Sequence, residues 1–109
     1  MRILLDNCVP WRLGAALTGH EVSSVVQLGW AALSGGELLD AMGSRFDLLV
    51  TVDKNLQFQQ DLRRRPFAIA VLRAKSNRIC DLLPLVPKLL AALPAVIPGQ
   101  VIKIQTYAV

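Results

Sequence analysis

The chain has 109 residues, of which 53% are hydrophobic and 18% are charged, and its 12 basic side chains outnumber 8 acidic ones. This length predicts a single domain over residues 1–109, which buries enough apolar surface to fold without disulfide or metal staples. No apolar run reaches the roughly 18 residues of a membrane helix, and residues 1–6 have the pattern of a buried strand rather than of a signal peptide. Transmembrane, disordered and small secreted classes are therefore excluded, and a cytoplasmic protein is expected.

The two cysteines, Cys8 and Cys80, are too few for a disulfide framework and lack the paired spacing of a zinc site. Since His20 is the only histidine, no metal cluster of nitrogen and sulfur ligands is predicted. Both cysteines are expected to be small buried thiols in a reducing compartment.

Short apolar runs alternate with helical patterns in the first half of the chain. Residues 2–5 are typical of a buried strand, residues 11–17 of a short helix entered through a proline, and residues 20–25 of an edge strand. Residues 28–33 have the pattern of a loop. A helix over 34–43 is predicted to begin at Ser34, because Glu37 follows it at the spacing of a capping box.

The second half continues the same alternation. Apolar strands are predicted over 47–52, 67–72 and 100–105, with a helix over 55–64 and a second, proline-interrupted helix over 81–93. Continuous runs of Val, Ile and Leu are typical of parallel strands that are covered on both faces. The sequence therefore predicts a three-layer α/β/α sandwich around a central, mostly parallel sheet of five strands.

Two carboxylates come directly after apolar strands, Asp6 after the first and Asp53 after the third. Ligands of such sheets bind beyond the carboxyl ends of the strands, at the switch point in strand order. With the order 2-1-3-4-5 these two strands are neighbours, and we expect their carboxylates to converge. Hard oxygen ligands without histidine or cysteine favour Mg²⁺ or Mn²⁺, so a site for one of these ions is predicted.

Other oxygen donors lie close in sequence to these acids. Glu37 is a third candidate ligand, although its position after Ser34 is also explained by helix capping. Thr51 lies two residues before Asp53, on the same side of the strand. The side chains expected to support the site are those of Asn7, Asp40, Thr51 and Asn55.

Half of the basic charge lies in one segment, residues 62–80, which carries six basic side chains and no acid. This asymmetry indicates an anionic partner, with a solvated helix end as the alternative. Residues 63–65 precede a strand and belong to the opposite edge of the sheet. The side chains predicted to bind nucleic acid at the carboxyl edge are those of Lys54, Arg73, Lys75 and Arg78. For Lys54, an ordinary surface lysine without a binding role is an equal alternative.

Several segments resemble those of small bacterial PIN-like proteins, a group similar to the VapC-type toxins of toxin–antitoxin operons. They are LLDNCVP at 4–10, GHEV at 19–22, SGGELL at 34–39, VTVDKNLQF at 50–58 and RAKSN at 73–77. The resemblance covers nearly the whole chain in the expected order. It implies a metal-dependent ribonuclease in which Asp6, Glu37 and Asp53 are the catalytic and metal-binding acids.

The resemblance also implies RNA as the substrate and a small antitoxin protein as a partner. Asn7 and Asn55 depart from the family pattern, because relatives usually carry acids at these two positions. Fewer acids imply weaker metal binding. A catalytically weakened PIN-like domain that binds nucleic acid or protein is therefore the alternative function.

Two further possibilities follow from the composition and the element order. A phosphoacceptor receiver domain has the same arrangement of strands and acids, but Lys103 lies in the middle of the last strand rather than at its end. A homodimer is expected from the apolar composition. For Trp11 and Trp30, packing in the core is the default expectation.

Overall fold

The five strands of the sheet are short, parallel and mostly apolar. The computed structural model describes residues 1–33, 35–54 and 62–105. The strand order is β2-β1-β3-β4-β5, and every neighbouring pair is parallel. This architecture confirms the predicted fold class. The strands are β1 (Arg2–Leu5), β2 (Glu21–Ser24), β3 (Leu48–Thr51), β4 (Ala68–Arg73) and β5 (Val101–Gln105).

Helical segments connect the strands. A 3₁₀ helix, Trp11–Ala16, follows β1, and α1 (Gly35–Met42) leads from β2 to β3. The predicted helix over 11–17 is therefore present as a tighter 3₁₀ helix. The connection from β4 to β5 is a helical arm over residues 79–95. Its segments are α2 (Ile79–Leu82), a 3₁₀ turn (Leu83–Leu85), α3 (Val86–Ala92) and a second 3₁₀ turn (Leu93–Ala95).

Prolines set the boundaries within this arm. Pro84, Pro87 and Pro94 each occupy one of the first two positions of a new segment. A proline lacks the N–H group that an earlier carbonyl would accept, and its fixed φ suits the first turn of a helix. The arm is therefore longer than the predicted helix over 81–93, and it is divided where the prolines lie.

Two apolar clusters cover the two faces of the sheet. On one face, Ile3, Leu5 and Val50 pack against the 3₁₀ helix after β1 and against the arm. On the other face, Leu4 and Leu49 pack against α1. Successive strand residues point to opposite faces, and both faces are covered, which is why residues 3–5 of β1 and 48–50 of β3 are apolar at every position.

Some local expectations differ from the structure. Of the predicted helix over 55–64, residues 55–61 lie outside the described residues, as does Ser34 of the predicted cap. Residues 62–65 form a turn closed by the Arg65 amide and the Leu62 carbonyl, 3.1 Å apart. The proline at position 66 disfavours helical geometry in the residue before it.

Two side chains expected to be buried are exposed. Cys80, in the first turn of α2, is exposed, whereas Cys8 is half-buried, so the prediction of two buried thiols is wrong for Cys80. Trp11 is 52% exposed, because the 3₁₀ helix turns Leu13 rather than Trp11 toward the sheet. No helix in the described part of the chain is long and apolar enough to cross a membrane.

Candidate active site at the carboxyl edge

The carboxyl ends of β1 and β3 lie side by side. Leu5 pairs with Val50, and the chain continues the ladder one step further through a 2.9 Å hydrogen bond from the Asp6 amide to the Val50 carbonyl. This register places half-buried Asp6 next to Thr51, the last residue of β3. The 2-1-3-4-5 order on which the predicted site depends is therefore observed.

The hydroxyl of Thr51 connects the two acidic positions. Thr51 is fully buried, and its Oγ1 donates a hydrogen bond to Oδ2 of Asp6 at 2.7 Å. The same oxygen accepts a hydrogen bond from the backbone amide of Asp53 at 3.0 Å. Asp53 itself is exposed, two residues beyond the end of β3. One buried side chain therefore fixes the Asp6 carboxylate and the backbone that carries Asp53.

The Asp6 carboxylate is held by residues that follow it as well. Its Oδ1 accepts a 2.8 Å hydrogen bond from the amide of Asn7, whose own side chain is exposed. The Cys8 thiol lies 3.7 Å from Oδ2 of Asp6 and 3.6 Å from Oγ1 of Thr51. Burial raises the pKa of the Cys8 thiol, and the negative charge of Asp6 raises it further, so the neutral thiol donates to the carboxylate.

Asn77 links this loop to the end of β4, a contact that the sequence pattern does not predict. Its Nδ2 donates a 3.1 Å hydrogen bond to the Cys8 carbonyl, across 69 residues of sequence. The neighbouring Ser76 hydroxyl donates to Asp81 and accepts from the amide of Arg78. The basic loop after β4 is therefore fixed against the loop that carries Asp6. The only signal for this contact in the sequence is the RAKSN segment itself.

A depression of about 300 Å³ lies beside these residues, between the ends of β3 and β4. It brings together Lys54 and Arg73, two of the four side chains predicted to bind nucleic acid. Lys75 and Arg78 are exposed in the same loop but do not line the depression. The lining residues are Val52, Lys54, Leu72, Arg73, Ala74, Ser76 and Asn77.

The remaining predicted acids lie on α1. Glu37 is exposed in the first turn of α1. Because a helix between parallel strands starts at their carboxyl ends, this turn lies at the same edge of the sheet as Asp6. Asp40 instead forms a 2.7 Å ion pair with Arg65, which precedes β4. Asn55, predicted to support the site, lies outside the described residues.

The donor set has the chemistry of a site for a hard cation. Within residues 1–33, 35–54 and 62–105, no three His, Cys, Asp or Glu side chains form a group that could hold a metal ion. Asp6 and Asp53 nevertheless supply carboxylate oxygens, and Oδ1 of Asp6 accepts a single hydrogen bond although it can accept two. Mg²⁺ is usually bound through one or two carboxylates and keeps several waters, so the chemistry of these donors suits such an ion.

A comparison with protein-family models finds no match to this chain, and comparisons with curated proteins and with solved structures find none either.

Proposed function

We propose that the protein is a Mg²⁺- or Mn²⁺-dependent ribonuclease of the PIN-like type. The observation that carries this proposal is the buried Thr51 hydroxyl, which connects Asp6 with the backbone of Asp53 at the carboxyl edge. A depression lined by Lys54 and Arg73 lies directly beside them. Carboxylates can hold a metal ion that promotes cleavage of a phosphodiester, and adjacent cations bind the phosphate backbone of the substrate.

In this proposal Asp6 and Asp53 hold the metal ion, with Glu37 contributing from the first turn of α1. When bound, the ion would lower the pKa of a coordinated water and neutralise negative charge on the phosphate. Thr51 positions the Asp6 carboxylate, since it fixes Oδ2 from the buried side. The exposed cations Arg73 and Lys54 bind phosphates of the RNA strand, and Lys75 and Arg78 extend the positive surface.

The resemblance to VapC-type toxins supports a further step, in which this ribonuclease is the toxin of a toxin–antitoxin pair. A small antitoxin protein would then be its partner in the cytoplasm. A short reading frame that directly precedes this one and inhibits the ribonuclease when co-expressed is the expected finding.

The decisive experiment compares three Asp→Asn variants. Asp6→Asn and Asp53→Asn should both abolish Mn²⁺-dependent cleavage of a fluorescent single-stranded RNA and weaken Mn²⁺ binding in calorimetry. Asp47→Asn is the matched control, because Asp47 lies at the amino ends of the strands, opposite the carboxyl edge, where it pairs with Arg2 at 3.1 Å. If Asp53→Asn cleaves RNA and binds Mn²⁺ like the parent, the ribonuclease assignment for this site is wrong.

The second candidate function is a PIN-like domain that binds RNA or protein without cleaving. It is favoured by the finding that no three potential metal ligands come together within the described residues. Asn7, at a position where relatives usually carry an acid, favours it as well. Binding of single-stranded RNA that is unaffected by millimolar Mn²⁺ and is never followed by cleavage would support this function instead.

A further inference from the structure

Strand β2 forms one edge of the sheet, where it pairs with β1 on one side only. The Glu21 amide donates to the Met1 carbonyl and the Val25 amide to the Leu5 carbonyl, so the odd-numbered residues bond to β1. Alternate residues of a parallel strand bond to opposite neighbours. The N–H and C=O groups of Val22 therefore point outward, away from β1, at an edge that no described strand covers.

Two grooves flank this strand, one on each face of the sheet. The first, of about 310 Å³, lies between β2 and the 3₁₀ helix after β1, and is lined by Trp11, Arg12 and Val22 among others. The second, of about 440 Å³, lies on the other face and is lined by Arg2, Glu21, Arg45 and Phe46 among others. An added strand places successive side chains on alternate faces, so its side chains would enter both grooves.

Each groove contains an arginine whose guanidinium is stacked on an aromatic ring. Arg12 lies 5.4 Å from the centroid of Trp11, and Arg45 lies 5.0 Å from the centroid of Trp30. Neither arginine forms an ion pair with another described residue. Because a stacked guanidinium is already restricted, it loses less conformational freedom on binding, and its planar fork matches the two oxygens of a carboxylate.

We propose that the β2 edge binds an extended, acidic segment of a partner protein, which adds to the sheet as a sixth strand. The backbone of the segment would bond to Val22, and two adjacent acidic side chains would point to opposite faces, one toward Arg12 and one toward Arg45. When a strand is added to an exposed edge, backbone hydrogen bonds provide the affinity and the pockets for alternate side chains provide the specificity.

The other edge strand of the sheet, β5, lacks these features. On β5 the exposed side chain of Lys103 lies on the strand, and Lys88 donates through Nζ to the Gln105 carbonyl at 2.7 Å. Lysine on an edge strand is a common protection against pairing with another chain. A second copy of the chain is also a poor occupant of the β2 edge, because each copy has a net charge of +4 and would bring its own arginines there.

The probe is a capped hexapeptide, Thr-Val-Glu-Glu-Val-Thr, titrated into ¹⁵N-labelled full-length protein at low salt. We expect the amide signal of Val22 to shift in a saturable manner, and the affinity to fall as salt is raised. The same peptide with Gln-Gln in place of Glu-Glu should bind about tenfold more weakly, because it cannot form the two ion pairs. Equal binding of the two peptides, or no shift at Val22, would refute the proposal.

Substitutions test the same surface from the protein side. The double variant Arg12→Gln/Arg45→Gln changes only exposed side chains and should weaken peptide binding about tenfold. Val22→Pro should abolish binding, whereas the matched control Lys103→Pro, on the other edge strand, should leave it unchanged. If Val22→Pro does not fold, the arginine variant and the shift at Val22 decide the outcome.

Two other occupants give distinguishable results. A dimer of the free protein that Val22→Pro converts to a monomer would identify a second copy as the occupant and overturn the proposal. Displacement of the hexapeptide from Val22 by single-stranded RNA at equal concentration would overturn it as well, because these arginines would then serve nucleic acid. Neither result depends on ribonuclease activity at the carboxyl edge, so this proposal and the proposed function fail independently.

Discussion

Replacing Thr51 by valine keeps the shape of a fully buried side chain and removes only the hydroxyl that contacts Asp6 and the backbone of Asp53. A hydrogen bond to a charged group contributes about 1.5–3 kcal/mol to stability, and one to a neutral amide about 0.5–1.5 kcal/mol. The methyl group that replaces the hydroxyl is buried, and its burial stabilises the fold by about 1 kcal/mol. We therefore expect the free energy of unfolding to fall by about 1–3.5 kcal/mol.

Urea denaturation followed by circular dichroism measures this decrease, and Thr51→Ser is the matched control because it retains the hydroxyl. For a domain of this size, 2 kcal/mol corresponds to a decrease in Tm of roughly 8–16 °C. Amide hydrogen exchange separates the two variants. The Asp53 amide should lose protection in Thr51→Val and keep it in Thr51→Ser, because only the serine hydroxyl can accept its hydrogen bond.

The same variant should bind Mn²⁺ more weakly, since the carboxylate of Asp6 no longer has the hydrogen bond that fixes Oδ2. A Thr51→Val protein as stable as the parent, with an equally protected Asp53 amide, would refute the inference that this hydroxyl organises the site.

Three further predictions concern other parts of the chain. Iodoacetamide should modify exposed Cys80 well before Cys8, which is half-buried and whose pKa is raised by burial; unfolding in urea should remove the difference. The hydrogen bond from Arg2 lowers the pKa of Asp47, so this pair should stabilise the fold above about pH 4 and lose its effect as the pH falls through the lower folded pKa. Denaturation of Asp47→Asn across pH should show a difference from the parent of under about 1 kcal/mol near pH 7, because the pair is exposed, and none near pH 2. Neutralising the three cations of the loop after β4, Arg73, Lys75 and Arg78, should weaken RNA binding. The slope of log K against log salt concentration should fall by about one unit for each phosphate contact that is lost, and neutralising residues 63–64 should have a smaller effect.

Much of the fold follows from the sequence, because burial on both faces requires apolar residues at every position of a strand. The runs at 3–5 and 48–50 have this property, and the structure places both in the interior of a parallel sheet. A polar residue within a few positions after such a run must lie at the carboxyl edge. The positions of Asp6 and Asp53 could therefore be predicted without knowledge of any contact.

Contacts between distant residues could not be predicted in this way. The period-two rule places Thr51 on the same side of its strand as Asp53, but it does not say that its hydroxyl bonds to Asp6, 45 residues away. In the same way, the sequence presents Asp40 only as a helix neighbour of Glu37, whereas its partner in the structure is Arg65. Such pairs depend on the register of neighbouring strands and on the packing of the helix, which a single sequence does not record.

The face on which each connection packs was also decided by the tertiary structure alone. The connections from β2 to β3 and from β4 to β5 run in the same direction across the sheet, yet α1 and the arm over 79–95 cover opposite faces. The two connections therefore have opposite hands, although nearly all such connections are right-handed. The spacing of Leu82, Leu85 and Leu89 determines that one side of the arm is buried. It does not determine which face of the sheet receives that side, because both faces are apolar and the choice depends on where the other helices already pack.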